Sequence, residues 1–176
     1  GLKHFVTYCR LYKINYLHGY YWPWGTRTSF RLKGELGYGQ GYGSTSELPF
    51  FKNYFAGGSS TLRGYKSRSL GPKDTRYPDD AIGGNKRILG NAEVYFPVPG
   101  SSRDNKAMRM SWFVDSGMVY GESEKLNFSQ LRYSTGLAFN WFSPVGPLSF
   151  SYGLPLRKKV EDKTEAFQFT LGVPFR

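Results

Sequence analysis

Hydrophobic and polar residues alternate with a period of two along most of the chain. In residues 28–39, apolar and aromatic side chains lie on one face and charged side chains on the other: Phe30, Leu32, Leu36 and Tyr38 against Arg31, Lys33 and Glu35. Successive side chains of a β-strand point to opposite faces, so this period predicts a strand. The same alternation recurs in residues 5–17, 87–96, 108–120, 131–142, 148–156 and 166–175. The pattern therefore predicts seven strands and an all-β, antiparallel fold.

The predicted strands are joined by connections of very different lengths. The proline-containing sequence YYWPWG at residues 20–25 is predicted to form the turn after the first strand, and SPVGP at residues 143–147 to form another tight turn. A third turn is predicted near residues 97–105. Residues 40–85, by contrast, form one long irregular segment. Strands of about ten residues are long enough to cross a bilayer at a tilt.

The two faces of these strands fit two architectures. In a transmembrane barrel the apolar face meets lipid and the polar face lines a wet lumen. In a soluble β-sandwich the apolar faces of two sheets pack against each other. The period alone does not separate the two. A single-chain bacterial barrel has an even number of strands because an open edge in lipid leaves backbone groups unpaired. Seven strands therefore indicate either that the pattern misses one strand or that the chain is a part of a larger barrel.

Composition supports the strands and narrows the choice of partners. The 176 residues include 14 Tyr, 14 Phe, 22 Gly and 10 Pro, a composition that favours strands and turns. The mean hydropathy is −0.50, and no apolar run is long enough for a transmembrane helix. A net charge of +11 would suit nucleic acid, but the basic residues are scattered over turns and polar faces. Anionic lipid headgroups explain the charge equally well, and no nucleic-acid partner is expected.

Candidate catalytic and cofactor sites are weak. The glycine-rich sequence GYGQGYG at residues 37–43 is not followed by the GK[ST] of a phosphate-binding loop. His4 and His18 have no neighbouring cysteine or acidic cluster, so no metal site is predicted. The single Cys9 forms no internal disulfide. We expect no enzymatic activity and no cofactor. The chain begins GLKH without a signal peptide, which fits a mature protein or a fragment.

The most distinctive motif lies in the long segment, in residues 49–73, PFFKNYFAGGSSTLRGYKSRSLGPK. It resembles the long extracellular loop of the BamA family of outer-membrane barrels, in which a [V/L]-R-G-[F/Y] tetrapeptide folds back into the barrel. Here this loop motif is Leu62, Arg63, Gly64 and Tyr65. FVDSG at residues 113–117 and WFSPVGPL at residues 141–148 resemble the F-x-D-x-G strand and the W-x-S-P-[LV]-G-P-[LM] turn of the same family. The resemblance covers residues 37–175 and is weakest over residues 1–25.

The resemblance implies a fold and a function. Residues 1–176 would be the C-terminal part of a sixteen-stranded transmembrane barrel in the bacterial outer membrane, lacking the N-terminal strands and the POTRA domains, with an extracellular loop over residues 40–85. The family folds and inserts β-barrel proteins. The implied partners are unfolded barrel clients, accessory lipoproteins, and outer-membrane lipid or lipopolysaccharide. The alternatives are a two-partner secretion transporter or a TamA-like factor of the same superfamily, and a soluble β-sandwich binding module.

The loop motif needs partners inside a barrel. A guanidinium keeps its charge because its pKa is above about 12, so a buried Arg63 requires acceptors. The strand pattern places Glu93 and Asp115 on polar faces, where a charge-assisted pair would hold the loop inside as an internal brace. The resemblance implies the same two partners, on the strand that also carries Phe113 and Gly117 and on the strand before it. The alternative is a solvated arginine in a flexible loop.

The terminal strand suggests a second functional element. Its apolar face is predicted to carry Phe167, Phe169, Leu171, Val173 and Phe175. Pro174 has no N–H to give to a ladder, and Arg176 follows where the family ends on an aromatic residue. A weakly paired last strand would form a lateral seam, at which a client strand can add to the exposed edge. The resemblance implies this gate, whereas the strand alone is equally compatible with an ordinary barrel seam.

Overall fold

The structure is a computed structural model that describes residues 10–43, 45, 48–74, 80–101, 107–124 and 126–172. Its strands in chain order are β1 (Leu11–Trp24), β2 (Thr28–Gly41), β3 (Gly64–Tyr65), β4 (Lys86–Phe96), β5 (Met108–Tyr120), β6 (Arg132–Ser143), β7 (Gly146–Arg157), β8 (Thr164–Glu165) and β9 (Phe167–Leu171). Two single 3-10 turns, Phe50–Lys52 and Phe128–Gln130, interrupt the loops. Across the described ranges, no helix is long and apolar enough to cross a membrane.

Seven of the strands form one antiparallel sheet in the order β1-β2-β4-β5-β6-β7-β9. Each strand pairs with the next long strand along the chain, as hairpin connections require. The short strands β3 and β8 form a separate ladder. The predicted all-β, antiparallel fold of seven long strands is confirmed. Within the described residues β1 and β9 are the two edges of the sheet, so the sheet is open.

The two faces of the sheet differ in what covers them. On the outer face, large apolar side chains are about half exposed or more: Leu32, Leu36, Trp112, Leu137, Tyr152, Leu154, Phe167 and Phe169. The inner face is the one on which residues 54–71 of the long loop pack. In a β-sandwich a second sheet would bury the outer apolar side chains. The alternative of a soluble β-sandwich is therefore wrong, and the exposed apolar face fits a surface that meets lipid.

The predicted turn at residues 20–25 is also wrong. Strand β1 continues through Trp24, and Pro23 pairs in register with Ser29. The chain reverses instead at residues 25–27, where Gly25 has φ +76°. Proline is tolerated in a strand where no neighbour needs the N–H that it lacks, and Pro23 is the residue before the last one of β1. The local sequence predicts a break at Pro23, but the pairing of β1 with β2 continues through it.

The register of the sheet aligns five inner-face residues across adjacent strands. Arg31 on β2 lies opposite Glu93 on β4, Glu93 opposite Phe113 on β5, Phe113 opposite Gly136 on β6, and Gly136 opposite Gly153 on β7. We call these five residues the central row. Its charged end and its glycine end provide two different surfaces for the loop above them.

Candidate functional site

The long loop narrows before it reaches the inner face. Ala56 and Leu70 exchange backbone hydrogen bonds, and the N–H of Gly58 donates to the carbonyl of Tyr65 at 2.9 Å. Gly57 has φ +102°, and a Cβ there would lie 2.3 Å from a backbone oxygen of the returning chain. Glycine is therefore required where the two arms come closest. The loop motif is held at the tip of the loop, where its two arms run close together.

Arg63 is the central contact between the loop motif and the sheet. Its Nε and Nη2 each donate to one oxygen of Asp115 at 2.8 Å, and its backbone N–H donates to Asp115 Oδ2 at 3.1 Å. Nη1 donates to Glu93 Oε1 at 3.1 Å. The guanidinium carbon lies 3.5 Å from the centre of the Phe113 ring, a cation–π contact. Burial alone would lower the pKa of Arg63, but the bonds and charges of Asp115 and Glu93 raise it. Arg63 therefore remains a charged, bidentate anchor.

Both oxygens of Glu93 have further donors. Ser111 Oγ donates to Oε1 at 2.6 Å, the Tyr95 hydroxyl donates to Oε2 at 3.0 Å, and Arg31 Nη2 donates to Oε2 at 2.5 Å. Glu93 is 2% exposed. A buried carboxylate is stable only when such donors replace water. The site is thus prepared by the sheet and does not depend on Arg63 alone.

Apolar side chains of the loop fill the space beside the charges. Leu62 and Tyr65 are fully buried in a cluster completed by Ala56, Leu70, Leu89 and Val119. Burying one leucine contributes about 1.5–3 kcal/mol. A Cβ at Gly117 would lie 2.7 Å from Leu89 Cδ2 and 3.7 Å from Leu62 Cδ1. Gly117 therefore leaves the room into which these leucines pack.

The glycine end of the central row meets the loop backbone. Gly64 has φ +86°, and a Cβ built on Gly153 would lie 2.7 Å from the Gly64 nitrogen. A Cβ on the neighbouring Gly136 would lie 2.0 Å from a carbonyl of β7. Distances below 3.0 Å are not compatible with a real side chain. The loop backbone therefore lies directly against the inner face of the sheet, which we call the wall, and only glycine permits this approach.

The Tyr65 hydroxyl lies at an irregularity of the sheet. The register between β6 and β7 shifts between Tyr133 and Ser134, and the Tyr65 hydroxyl bonds to the carbonyls of Arg157 and, at 3.2 Å, Tyr133. A register shift disrupts the ladder locally, and the phenol supplies a hydrogen-bond donor at this place. Burial raises the pKa of Tyr65 to about 12.

Substitution Tyr65→Phe is expected to weaken loop docking by about 0.5–1.5 kcal/mol, because two part-buried carbonyls lose the hydrogen bond of the phenol. Urea unfolding of the protein in detergent would measure this, with Tyr42→Phe, an exposed tyrosine of the same loop, as control. The raised pKa means that the phenol stabilises the folded form fully below pH 10 and loses this contribution as the pH rises towards about 12. A difference between wild type and Tyr65→Phe that does not shrink in this window would contradict the assignment.

The loop motif also contacts the terminal segment. Gly64 and Tyr65 pair with Glu165 and Thr164 as the ladder of β3 and β8. Gln168 Nε2 donates to the carbonyl of Tyr65 at 2.7 Å, and the hydroxyls of Ser59 and Thr170 are 2.9 Å apart. Strand β9 turns its other side outwards, where Phe167, Phe169 and Leu171 are exposed. The predicted seam residues Val173 and Phe175 lie outside the described residues.

The structure thus brings Leu62, Arg63, Gly64 and Tyr65 together with Glu93, Phe113, Asp115 and Gly117 on one wall. Sequence reasoning missed the residues that complete the site: Arg31, Asn91, Ser111, Gly136, Gly153 and Gln168. All six are polar or small residues at inward positions of predicted strands, and this was the available signal. In the part of the chain that is described, no group of three or more metal-ligating side chains occurs.

Comparisons with known proteins find related chains. Residues 7–175 match the Omp85 superfamily domain. The outer membrane protein assembly factor BamA of Neisseria meningitidis is 38% identical over 190 residues, which cover 93% of this chain and 24% of that protein. The sorting assembly machinery 50 kDa subunit of Saccharomyces cerevisiae is 28% identical over 151 residues, covering 80% of this chain and 31% of the relative.

A solved structure supports the same relationship. The crystal structure of BamA from Haemophilus ducreyi lacking POTRA domains 1–3 superposes with a TM-score of 0.81 and 32% identity, over 91% of this chain and 34% of that chain. The open sheet therefore corresponds to part of a barrel. This chain spans about a quarter of the length of the Neisseria relative. The predicted resemblance and the predicted location in the bacterial outer membrane are confirmed. The chain belongs to the Omp85 superfamily.

Proposed function

We propose that this chain forms the closing part of an outer-membrane protein assembly factor, which folds β-barrel proteins and inserts them into the outer membrane. The observation that carries the proposal is the double attachment of the loop motif. Arg63 binds Asp115 and Glu93 on the wall, and the adjoining Gly64 and Tyr65 pair with the segment just before the terminal strand. Three bacterial relatives, each an outer membrane protein assembly factor BamA, support the same role.

The terminal strand is the proposed template for the client. Within the described residues, which end at residue 172, strand β9 pairs with β7 at five positions, whereas β6 pairs with β7 at eleven. A short ladder is easier to separate than a long one, and an edge strand offers backbone N–H and C=O groups to another chain. A client strand that pairs with this edge gains these hydrogen bonds, while its apolar side is buried in lipid. No nucleotide or cofactor is needed as an energy source.

The loop motif acts as the internal brace of this template. Tyr65 of the motif bonds to Gln168, and Ser59 just before the motif bonds to Thr170, so both reach the inner side of β9, while the ladder with β8 holds the preceding turn. The outer side of β9 remains available to lipid and client. The brace therefore limits the movement of the last strand towards the lumen while its edge is free to exchange partners.

The proposal includes the context of the chain. Residues 1–176 are proposed as the C-terminal part of a sixteen-stranded barrel, with residues 40–85 as an extracellular loop and with further strands and POTRA domains upstream. The proposed partners are unfolded barrel clients, the accessory lipoproteins of the assembly machine, and outer-membrane lipid or lipopolysaccharide. The exposed apolar face and the scattered basic residues suit a lipid surface with anionic headgroups.

Cysteine crosslinking tests this function. Phe169→Cys on β9 is expected to form a disulfide with a cysteine in the last strand of a client barrel stalled during assembly in cells. Leu32→Cys is the matched control, because it is also exposed on the outer face but lies on β2, which has a strand on each side. No adduct at residue 169, or equal adducts at both positions, would count against a seam. A secretion transporter of the same superfamily, which passes its substrate through the pore, would also give no adduct.

A further inference from the structure

Arg31 is a second arginine in the charged cluster, and it comes from the wall and not from the loop. It lies in the central row on β2, next to Glu93 on β4. Arg31 Nη2 is 2.5 Å from Glu93 Oε2 and 2.9 Å from Asn91 Oδ1. The side chains of Arg31 and Glu93 are 12% and 2% exposed. A contact at this depth is not a surface ion pair, and solvent screens it little.

The two arginines divide the Glu93 carboxylate between them. Arg63 binds Oε1, whereas Arg31 binds Oε2. This division fixes the plane of the carboxylate, because each oxygen has its own charged donor. A Glu93 side chain without Arg31 would have one charged partner and could rotate towards it. The oxygen that Arg63 needs is thus presented by a contact on the opposite side of the same group.

Arg31 also reaches the second carboxylate through one amide. Asn91 accepts from Arg31 with Oδ1 and donates with Nδ2 to Asp115 Oδ1. An asparagine amide has one acceptor end and one donor end, so the cation at Oδ1 determines that Nδ2 faces Asp115. The same Asp115 oxygen accepts from Arg63 Nη2 at 2.8 Å. The orientation of both carboxylates therefore depends on Arg31.

Charge balance leads to the same residue. Glu93 and Asp115 carry two negative charges, and Arg63 supplies only one positive charge. An uncompensated charge in a buried site is strongly unfavourable. We propose that Arg31 is a positioning residue for the loop motif: it orients Glu93 and Asn91 and neutralises the second carboxylate, and it thereby sets how firmly Arg63 docks. The inference rests on the proposed function in one respect only: it takes loop docking to be needed for client assembly.

Hydrogen exchange in the complete protein in lipid nanodiscs tests this role. In Arg31→Met, the amides of residues 62–66 are expected to exchange about 10- to 100-fold faster, the range for loss of one partner from a buried charge network. The amides of β4 and β5 are expected to be unchanged. Arg31→Lys is expected to restore part of the protection, because one ammonium can serve Glu93 but lacks the planar fork.

Lys33→Met is the matched control. Lys33 is the next inward position on β2, in register with Asn91, and its substitution also removes one positive charge. It is expected to leave loop exchange at the wild-type rate. Equally faster loop exchange in Arg31→Met and Lys33→Met would show that the effect comes only from the loss of net positive charge. Faster exchange throughout β2 and β4 would show that Arg31 only joins two strands. Either result, or unchanged loop exchange, would overturn the inference.

Two arrangements keep the test decisive. If the Arg31→Met protein does not insert into the membrane, Arg31→Gln and Arg31→Lys are measured in the same way, since both keep a donor. Wild-type loop exchange in both variants would refute the positioning role. Client assembly is measured separately. A loop that is released in Arg31→Met while client assembly continues at the wild-type rate would support the positioning role and contradict the proposed function of the brace.

Discussion

Substitution Arg63→Ala is expected to release the loop motif from the inner wall and to reduce client assembly severely. The change removes three of the four hydrogen bonds that Arg63 donates to two carboxylates that are 1–2% exposed, and leaves those carboxylates buried. Of these four donors only the backbone N–H remains, and it moves away with the loop. Breaking a buried charge pair by removing one partner costs about 3–5 kcal/mol. Protease accessibility of residues 58–69 and the rate of client folding in membranes would measure the two effects.

The matched control for this change is Lys66→Ala. Lys66 is a basic residue of the same loop tip, exposed, with its backbone N–H bonded to Lys163. It is expected to behave as wild type in both assays. Arg63→Lys is expected to be intermediate because an ammonium cannot form the bidentate pair with Asp115. Wild-type loop protection in Arg63→Ala would show that the apolar cluster, and not the charge network, holds the loop.

Substitution Gly153→Ala is expected to displace the loop tip while the sheet still forms. The added Cβ would lie 2.7 Å from the Gly64 nitrogen and 3.0 Å from the Arg63 carbonyl carbon, so the loop backbone must move. Overpacking of this kind costs about 1–3 kcal/mol. Because β3 is part of this loop backbone, the movement would also separate β3 from β8. Hydrogen exchange of residues 62–66, compared with that of β6 and β7, would measure the displacement.

Gly34→Ala provides the reference for Gly153→Ala. Gly34 is also a strand glycine, and a Cβ there would meet nothing within 4 Å. It is expected to change neither loop exchange nor stability by more than about 0.5 kcal/mol. Equal effects of the two substitutions would indicate a general response of strands to alanine and would remove Gly153 from the site.

The strands of this protein could be predicted because each of them alternates locally. The face of Leu32 or Phe167 is decided by its immediate neighbours in sequence, and the structure keeps those faces. The turn at residues 20–25 could not be predicted in the same way. Whether Pro23 ends a strand depends on whether the pairing of β1 with β2 continues past it, and no local pattern contains that information.

The residues of the site also differ in whether the local sequence could predict their roles. The loop motif and the carboxylates of Glu93 and Asp115 could be inferred because a buried guanidinium needs acceptors, and both acids lie at inward positions. Arg31, Gly153 and Gln168 could not. Their roles depend on the register between strands, which sets Arg31 beside Glu93 and Gly153 beneath Gly64. Register is a property of pairs of strands, so it becomes visible only when the strands are placed together.

The depth of the charged cluster determines how the loop responds to the ionic strength of the medium. At physiological salt, dissolved ions screen exposed charges beyond about 8 Å and act far less on buried pairs. Asp80 of the loop and Lys163, which lies between β7 and β8, are 3.8 Å apart with side chains 79% and 37% exposed. Rising salt therefore weakens this exposed pair first, while Arg63 keeps its partners. The exposed part of the loop can adjust to the medium without release of the part that contacts the last strand.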